Sequence, residues 1–172
     1  MISKVLNFAL VILTVTLIGN YFYRLPKYSR GNVIPDIALH KIDGSNVSLD
    51  SLADKTLLLH FWGSWCTSCR RENKELVKWY SNFQNKKDST ALSNFEIISI
   101  ALERKEGNAV HAIAKDSLFW DNHMVELGGF SSPIAEEYGV KKIPTTYLID
   151  SSRKVLLINP SIKQLDKYFN SL

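Results

Sequence analysis

Cys66 and Cys69 are the only two thiols in a chain of 172 residues, and they sit two residues apart in the stretch "FWGSWCTSC". A C-x-x-C pair on a helix places both sulfurs on one face, close enough to bridge. The chemistry such a pair can do is thiol–disulfide exchange. A thiol at a helix start meets unpaired backbone N–H groups and the positive end of the helix dipole, so its thiolate forms near neutral pH. A second thiol one turn deeper can then attack the mixed disulfide formed at the first. On this reading Cys66 is the nucleophile and Cys69 the resolving thiol. Arg70, Arg71 and Lys74 add positive potential nearby, and no other thiol is present to scramble the pair.

The same spacing could be half of a zinc site, which needs a second C-x-x-C or a pair of histidines. His40, His60, His111 and His123 are scattered and form no ligand pair, so no metal is expected. Two cysteines are too few for a disulfide scaffold, and a chain of this length needs none. The net charge of +4 is spread along the sequence. No basic stripe marks a nucleic-acid partner.

The elements that must position the thiols can be read from periodicity. "TLLLHFW" (Thr56 to Trp62) is a continuous apolar run of strand length, suited to a strand covered on both faces. Gly63 and Ser64 break it, and a helix begins at the first cysteine. Leu76, Trp79, Tyr80 and Phe83 form that helix's apolar stripe. Upstream, "VIPDIALHKIDGSNVSLDSLADK" reads as a short extended segment, a turn at Asp43-Gly44, a strand from Asn46 to Leu49 and a helical turn after Asp50. Downstream, Phe95 to Leu102 is a second buried strand. "GNAVHAIAKDSL" follows as a helix, with Val110, Ile113 and Ala114 expected inward. Ser132-Pro133 supplies an N-cap and a first-turn proline for a short helix to Tyr138. "TTYLID" and "KVLLIN" read as a hairpin, and a closing helix turns Ile162, Leu165 and Phe169 inward. A strand–helix–strand unit implies a right-handed parallel crossover, whereas the hairpin must be antiparallel. The expected fold is α/β, a mixed central sheet flanked by helices on both faces.

The N-terminus differs from the rest. Val5 to Tyr23 carries no charge and is long enough to cross a bilayer as a helix. It lacks a clear A-x-A cleavage pattern, and "LIGN" lacks a lipid-attachment cysteine, so an uncleaved signal anchor is expected over residues 1–23. Residues 24–32, with Pro26 and Gly31, are expected to be a polar linker, and residues 33–172 the globular domain. Arg24, Lys27 and Arg30 outnumber Lys4 and the terminal amine, so charge alone would leave the domain in the cytoplasm. The redox chemistry favours the opposite side, in the periplasm or outside the cell.

"HFWGSWCTSCRRE" resembles the active-site segment of the thioredoxin superfamily, in particular its membrane-anchored TlpA/ResA-like branch. "IPDIAL", "YGVKKIPTTYLID" and a helical insert between the central strand and that late motif extend the resemblance across residues 33–172. It implies a thioredoxin-like fold and a thiol–disulfide oxidoreductase whose only redox group is the Cys66–Cys69 pair, with no separate cofactor. It implies disulfide-containing protein substrates, a membrane electron donor, and a role such as reducing apocytochrome c thiols for haem attachment. It also implies a cis peptide before Pro144, lying against the cysteines. The backbone of Ile143 would then pair with an extended substrate segment, with Trp65 as a further substrate contact.

The departures from that pattern are specific. Thr67-Ser68 replaces the proline-containing dipeptides common between the cysteines. Asn73 and Lys74 stand where a helix-kinking proline is frequent. His60 occupies the place of a buried acid six residues before the first cysteine, and is a candidate proton shuttle for Cys69. Glu103 is expected as an exposed loop residue and "LFW" (Leu118 to Trp120) as core. A copper-carrying module of the same fold is the alternative function, but its relatives use a three-residue gap and a partner histidine. A peroxide-reducing site would need its cysteine in a different Pro- and Thr-containing loop.

Overall fold

The strand that ends at the active-site stretch lies at the centre of the sheet. In the computed structural model, which describes residues 2–86 and 94–171, the apolar run forms β3 (Thr56–Trp62), and all but its first residue are buried. It pairs in parallel with β4 (Phe95–Glu103) and antiparallel with β6 (Thr145–Ile149). β7 (Val155–Ile158) pairs antiparallel with β6 and closes the hairpin. With β5 (Asn122–Leu127) at one edge, the sheet order is β5-β4-β3-β6-β7, the mixed sheet expected.

One strand of that sheet is absent from the sequence reading. β5 (Asn122–Leu127) pairs in parallel with β4 at the sheet edge. Its sequence, NHMVEL, has only Met124 fully buried. An edge strand half open to solvent carries neither the apolar run nor the β-branched enrichment that marks a central one. A small antiparallel hairpin, β1 (Ala38–His40) with β2 (Asn46–Ser48), precedes the sheet and leads into a 3-10 turn at Asp50–Leu52.

Among the described residues, three helices cover one face of the sheet. They are α2 (Thr67–Lys86), α3 (Glu106–Asp116) and α5 (Ile162–Asn170), numbered after the N-terminal α1 (Ile2–Tyr23) and around the short α4 (Pro133–Glu137). Trp79, Tyr80 and Phe83 of α2 meet Phe95 and Phe169 in an aromatic cluster, with ring centroids as close as 4.7 Å for Phe95–Phe169. α5 opens on a capping box between Ser161 and Gln164. The other face is covered by α4, the β1–β2 hairpin and the N-terminal segment, around Phe61, Tyr138 and Tyr147. The Ser132 hydroxyl caps α4, with Pro133 in its first turn.

The inward face of α3 is not the one expected. Ala109, Ala112 and Asp116 are buried and Ile113 is partly so, while Val110 and Ala114 are exposed. The apolar stripe fits either register; a polar contact decides between them. Asp116 accepts from both Arg70 and the Asn73 amide on α2, and alanines at the interface let the two helices approach.

The segment expected to be a linker is packed on the domain. The Lys27 ammonium donates to the Glu137 carbonyl at 2.7 Å, and the Tyr28 hydroxyl reaches the same oxygen at 3.2 Å. The Tyr28 ring lies edge-on to Tyr138 and Tyr147, each at 6.4 Å. Gly31 and Asn32 exchange backbone hydrogen bonds with Val155 at 2.8 Å. Burying most of one tyrosine ring is worth about 2 kcal/mol. A fragment of residues 24–172 should therefore resist urea better than residues 33–172 by about that amount. Superimposable unfolding curves would mean that these contacts contribute nothing.

Candidate active site

β3 delivers the chain to the site, and Gly63 lets it turn. A Cβ at Gly63 would lie 2.8 Å from the Trp65 indole nitrogen and 3.1 Å from Cδ1 of Ile143. Glycine is thus required for the Trp65 ring and the Ile143 loop to close over the turn. The indole N–H donates to the Leu102 carbonyl at 3.0 Å, while 57% of Trp65 remains exposed. The next residue is Cys66.

Cys66 is the N-cap of α2. Its carbonyl accepts the first helical hydrogen bond, from Arg70 N at 3.0 Å, and its sulfur accepts from Cys69 N at 3.2 Å. That is the geometry a serine or aspartate side chain adopts at an N-cap, with sulfur in place of oxygen. The Ser68 hydroxyl lies 3.2 Å from the same sulfur. Cys66 and Cys69 form a disulfide with a Cα–Cα separation of 5.2 Å. Cys69 is fully buried, whereas Cys66 keeps a small exposed edge. Ile143–Pro144 is a cis peptide, as the resemblance implied, and the Ile143 carbonyl oxygen is 3.9 Å from Cys66 Sγ. Cys66, Cys69, Trp65, Ile143 and Pro144 thus meet at one end of the sheet.

His60 lies deeper on β3, opposite Thr146 of β6. It alternates with Leu58 and Trp62 on β3, so it points toward the α2 side. It is wholly buried, and neither ring nitrogen has a hydrogen-bond partner among the described residues. Burial pushes its pKa down to about 3. The imidazole is therefore neutral across the working pH range.

Three further residues shape the site: Glu103 and Arg70 play parts other than those expected, and Glu72 is not singled out by the sequence reading. Glu103 ends β4 and is 1% exposed, not an exposed loop residue. Its carboxylate accepts the Ser64 backbone N–H and so holds the loop that enters the cysteine pair. Strand β4 runs one residue further than its apolar run predicts because Glu103 pairs with Leu127 of β5. Arg70 is engaged as well: it forms a bidentate pair with Asp116 and reaches the Ser64 carbonyl at 3.4 Å. Its charge is matched there and is not free to act on the thiols. Burial alone would raise Asp116, but hydrogen bonds from Arg70 and Asn73 outweigh it and hold the carboxyl below 3.8.

Glu72 is the third. It lies one turn beyond Cys69 on the same helix face, a spacing legible in "CRRE". It lines a cleft of about 340 Å³ with Ser68, Pro144 and Thr146, beside the disulfide. Burial raises its pKa above the usual 4.5, opposed by a hydrogen bond from Thr146 and reinforced by the neighbouring Glu75 charge. In the "LFW" segment, Leu118 and Trp120 are buried as expected, and Phe119 is 45% exposed and stacks on Tyr80.

Sheet, helix-start disulfide and cis-proline together define a thioredoxin-like thiol–disulfide oxidoreductase, with the cysteine pair itself as the redox group. The chain belongs to the AhpC/TSA family, whose family model matches residues 30–158. It is 28% identical over 141 residues to the thiol-disulfide oxidoreductase ResA of Bacillus thuringiensis, covering 82% of this chain and 75% of the relative. Among solved structures, a thiol-disulfide oxidoreductase from Bacteroides fragilis superposes with a TM-score of 0.70 at 26% identity, covering 81% of this chain and 98% of the other. The thioredoxin domain of a Bacteroides vulgatus thiol-disulfide oxidoreductase gives 0.69 at 26%, covering 84% and 100%.

Proposed function

We propose that this protein is a membrane-tethered thiol–disulfide oxidoreductase that reduces protein disulfides outside the cytoplasm. The observation that carries the reading is the Cys66 sulfur at the N-cap of α2, receiving the Cys69 N–H. In the reduced enzyme the same donors face a thiolate, which they stabilise. Cys66 attacks one sulfur of a substrate disulfide and releases the other as a thiolate. Cys69 then loses its proton and attacks Cys66 Sγ, which releases the second substrate thiolate and leaves the Cys66–Cys69 disulfide. Two electrons pass to the substrate, and a membrane dithiol donor returns them. The backbone at Ile143, beside the cis-proline, and the exposed Trp65 ring hold the extended substrate segment.

Tethering rests on α1. Lys4–Tyr23 has a mean hydropathy of 1.9, and none of the residues in its apolar window is buried in the domain. A signal sequence passes the same test, and the missing cleavage pattern favours an anchor. Residues 1–23 then span the membrane, 24–32 leave it, and 33–172 carry the thioredoxin-like domain. An extracytoplasmic dithiol supplied through the membrane suits maturation steps that need reduced thiols, haem attachment to apocytochrome c among them.

Proton exchange at Cys69 falls to Glu72 rather than His60. Glu72 shares the helix face of Cys69 and has access to the cleft; burial raises its pKa, which makes its carboxylate a better base for the Cys69 proton. His60 is sealed in the core, and taking a second proton there is disfavoured by burial.

Two experiments test this reading. Cys69→Ala in the full chain should accumulate substrates as mixed disulfides through Cys66, seen as high-mass bands that reductant removes, whereas Cys66→Ala should trap few. Equal trapping by both variants would assign the nucleophile wrongly. In insulin reduction followed against pH, Glu72→Gln should slow turnover by roughly 10²-fold and remove an inflection that lies above pH 4.5. His60→Asn should leave that inflection in place. A profile that loses its inflection only with His60→Asn would return the proton role to the histidine.

A further inference from the structure

The segment between the anchor and the domain runs in a definite direction. Lys27 and Tyr28 contact the end of α4 at Glu137. The Tyr28 ring reaches Tyr147 in the middle of β6. Gly31 and Asn32 bond to Val155, and Ile34 N donates to the Arg153 carbonyl at 3.0 Å, beyond the far end of β6. β6 begins at Thr145, next to the cis-proline, and ends at Ile149, which pairs with Val155. Residues 27–34 therefore descend along the sheet from the catalytic end to the opposite end, and the anchor leaves the domain at the catalytic end.

Two close approaches fix that exit. At Gly139, which has a φ of +62°, a Cβ would lie 2.2 Å from Cβ of Lys27, so only glycine lets the segment seat there. The Lys141 ammonium lies 3.9 Å from the ring centroid of Tyr23, the last residue of α1. Lys141 is two residues from Ile143, a span of at most about 7 Å, and the Ile143 carbonyl is 3.9 Å from Cys66 Sγ. Lys141 and Lys142 are both exposed, as is Arg24 just past the helix end.

We infer that residues 24–32 form a docked strap that holds the catalytic mouth against the bilayer, with Arg24, Lys141 and Lys142 at the level of anionic lipid headgroups. This inference rests on the proposed tethering by α1. A flexible linker would let the disulfide sample solution in every orientation. The strap instead confines the enzyme to thiols and disulfides presented at the membrane surface, and gives the basic residues that follow the anchor a lipid-facing use.

The test uses the full chain in vesicles of phosphatidylcholine and phosphatidylglycerol, with a nitroxide on a fraction of the headgroups. A fluorophore is attached to Cys66 in the Cys69→Ala chain. In a second chain, Cys66→Ala and Cys69→Ala, it is attached at Ser152→Cys in the β6–β7 turn at the opposite end. Quenching at position 66 should exceed that at 152 by several-fold. Adding Lys27→Ala and Tyr28→Ala, which release the strap, should bring the two positions close to equal. Equal quenching with the strap intact, or stronger quenching at 152, would overturn the inference while leaving tethering in place. A chain that does not float with the vesicles would overturn the tethering reading and this inference with it.

Discussion

The hydrogen bond from the Cys69 backbone N–H to the Cys66 sulfur is the contact on which the rest depends. It makes the nucleophile the cap of a helix. An N-cap position must be met by a chain that has just left the sheet, which is why β3 ends at Trp62 and Gly63 turns immediately after it. The turn must stay closed without burying its own backbone groups unpaired. Glu103 takes the Ser64 N–H, Arg70 reaches the Ser64 carbonyl, and Trp65 donates to Leu102. The Arg70–Asp116 pair then locks α3 against α2. The cleft, the cis-proline loop and the buried second thiol are consequences of that frame.

Electrostatics at the site are more local than the sequence suggests. A run of basic residues after the cysteines invites a reading of general positive potential. Arg70 is matched by Asp116, so the nearest favourable charge on Cys66 comes from backbone N–H groups, with the Ser68 hydroxyl beside them. Those dipoles are fixed in orientation and partly shielded from water, and salt screens them less than exposed side chains. The Thr67-Ser68 pair, which departs from proline-containing dipeptides, places a hydroxyl beside the sulfur where a proline could not.

Most of the central architecture was legible because its signals are strong and local. β3, the α2 stripe, the Ser132-Pro133 helix start and the β6–β7 hairpin each carry a run, a period or a cap. The Cys66–Cys69 pair was legible from spacing alone, and the cis-proline only through resemblance. What escaped was decided by contacts between distant residues. β5 is a strand because β4 offers it an edge, and α3 faces inward along Ala109, Ala112 and Asp116 because Arg70 waits there. Glu103 is buried because a backbone N–H lies 39 residues upstream at Ser64. The polar character of residues 24–32 hid Tyr28, whose ring finds two tyrosines on the domain. Glu72 could have been found from its helical phase relative to Cys69, had phase rather than residue type been the criterion.

The most direct measurement is a titration of the reduced protein carrying 13C-labelled cysteine β-carbons, with both resonances assigned by single replacement. Stabilisation at the N-cap predicts that Cys66 ionises first, with a midpoint well below the ordinary value of about 8.5, while buried Cys69 ionises at or above it. A Cys66 midpoint at or above about 8.5, or Cys69 ionising first, would contradict the central role given to the helix start.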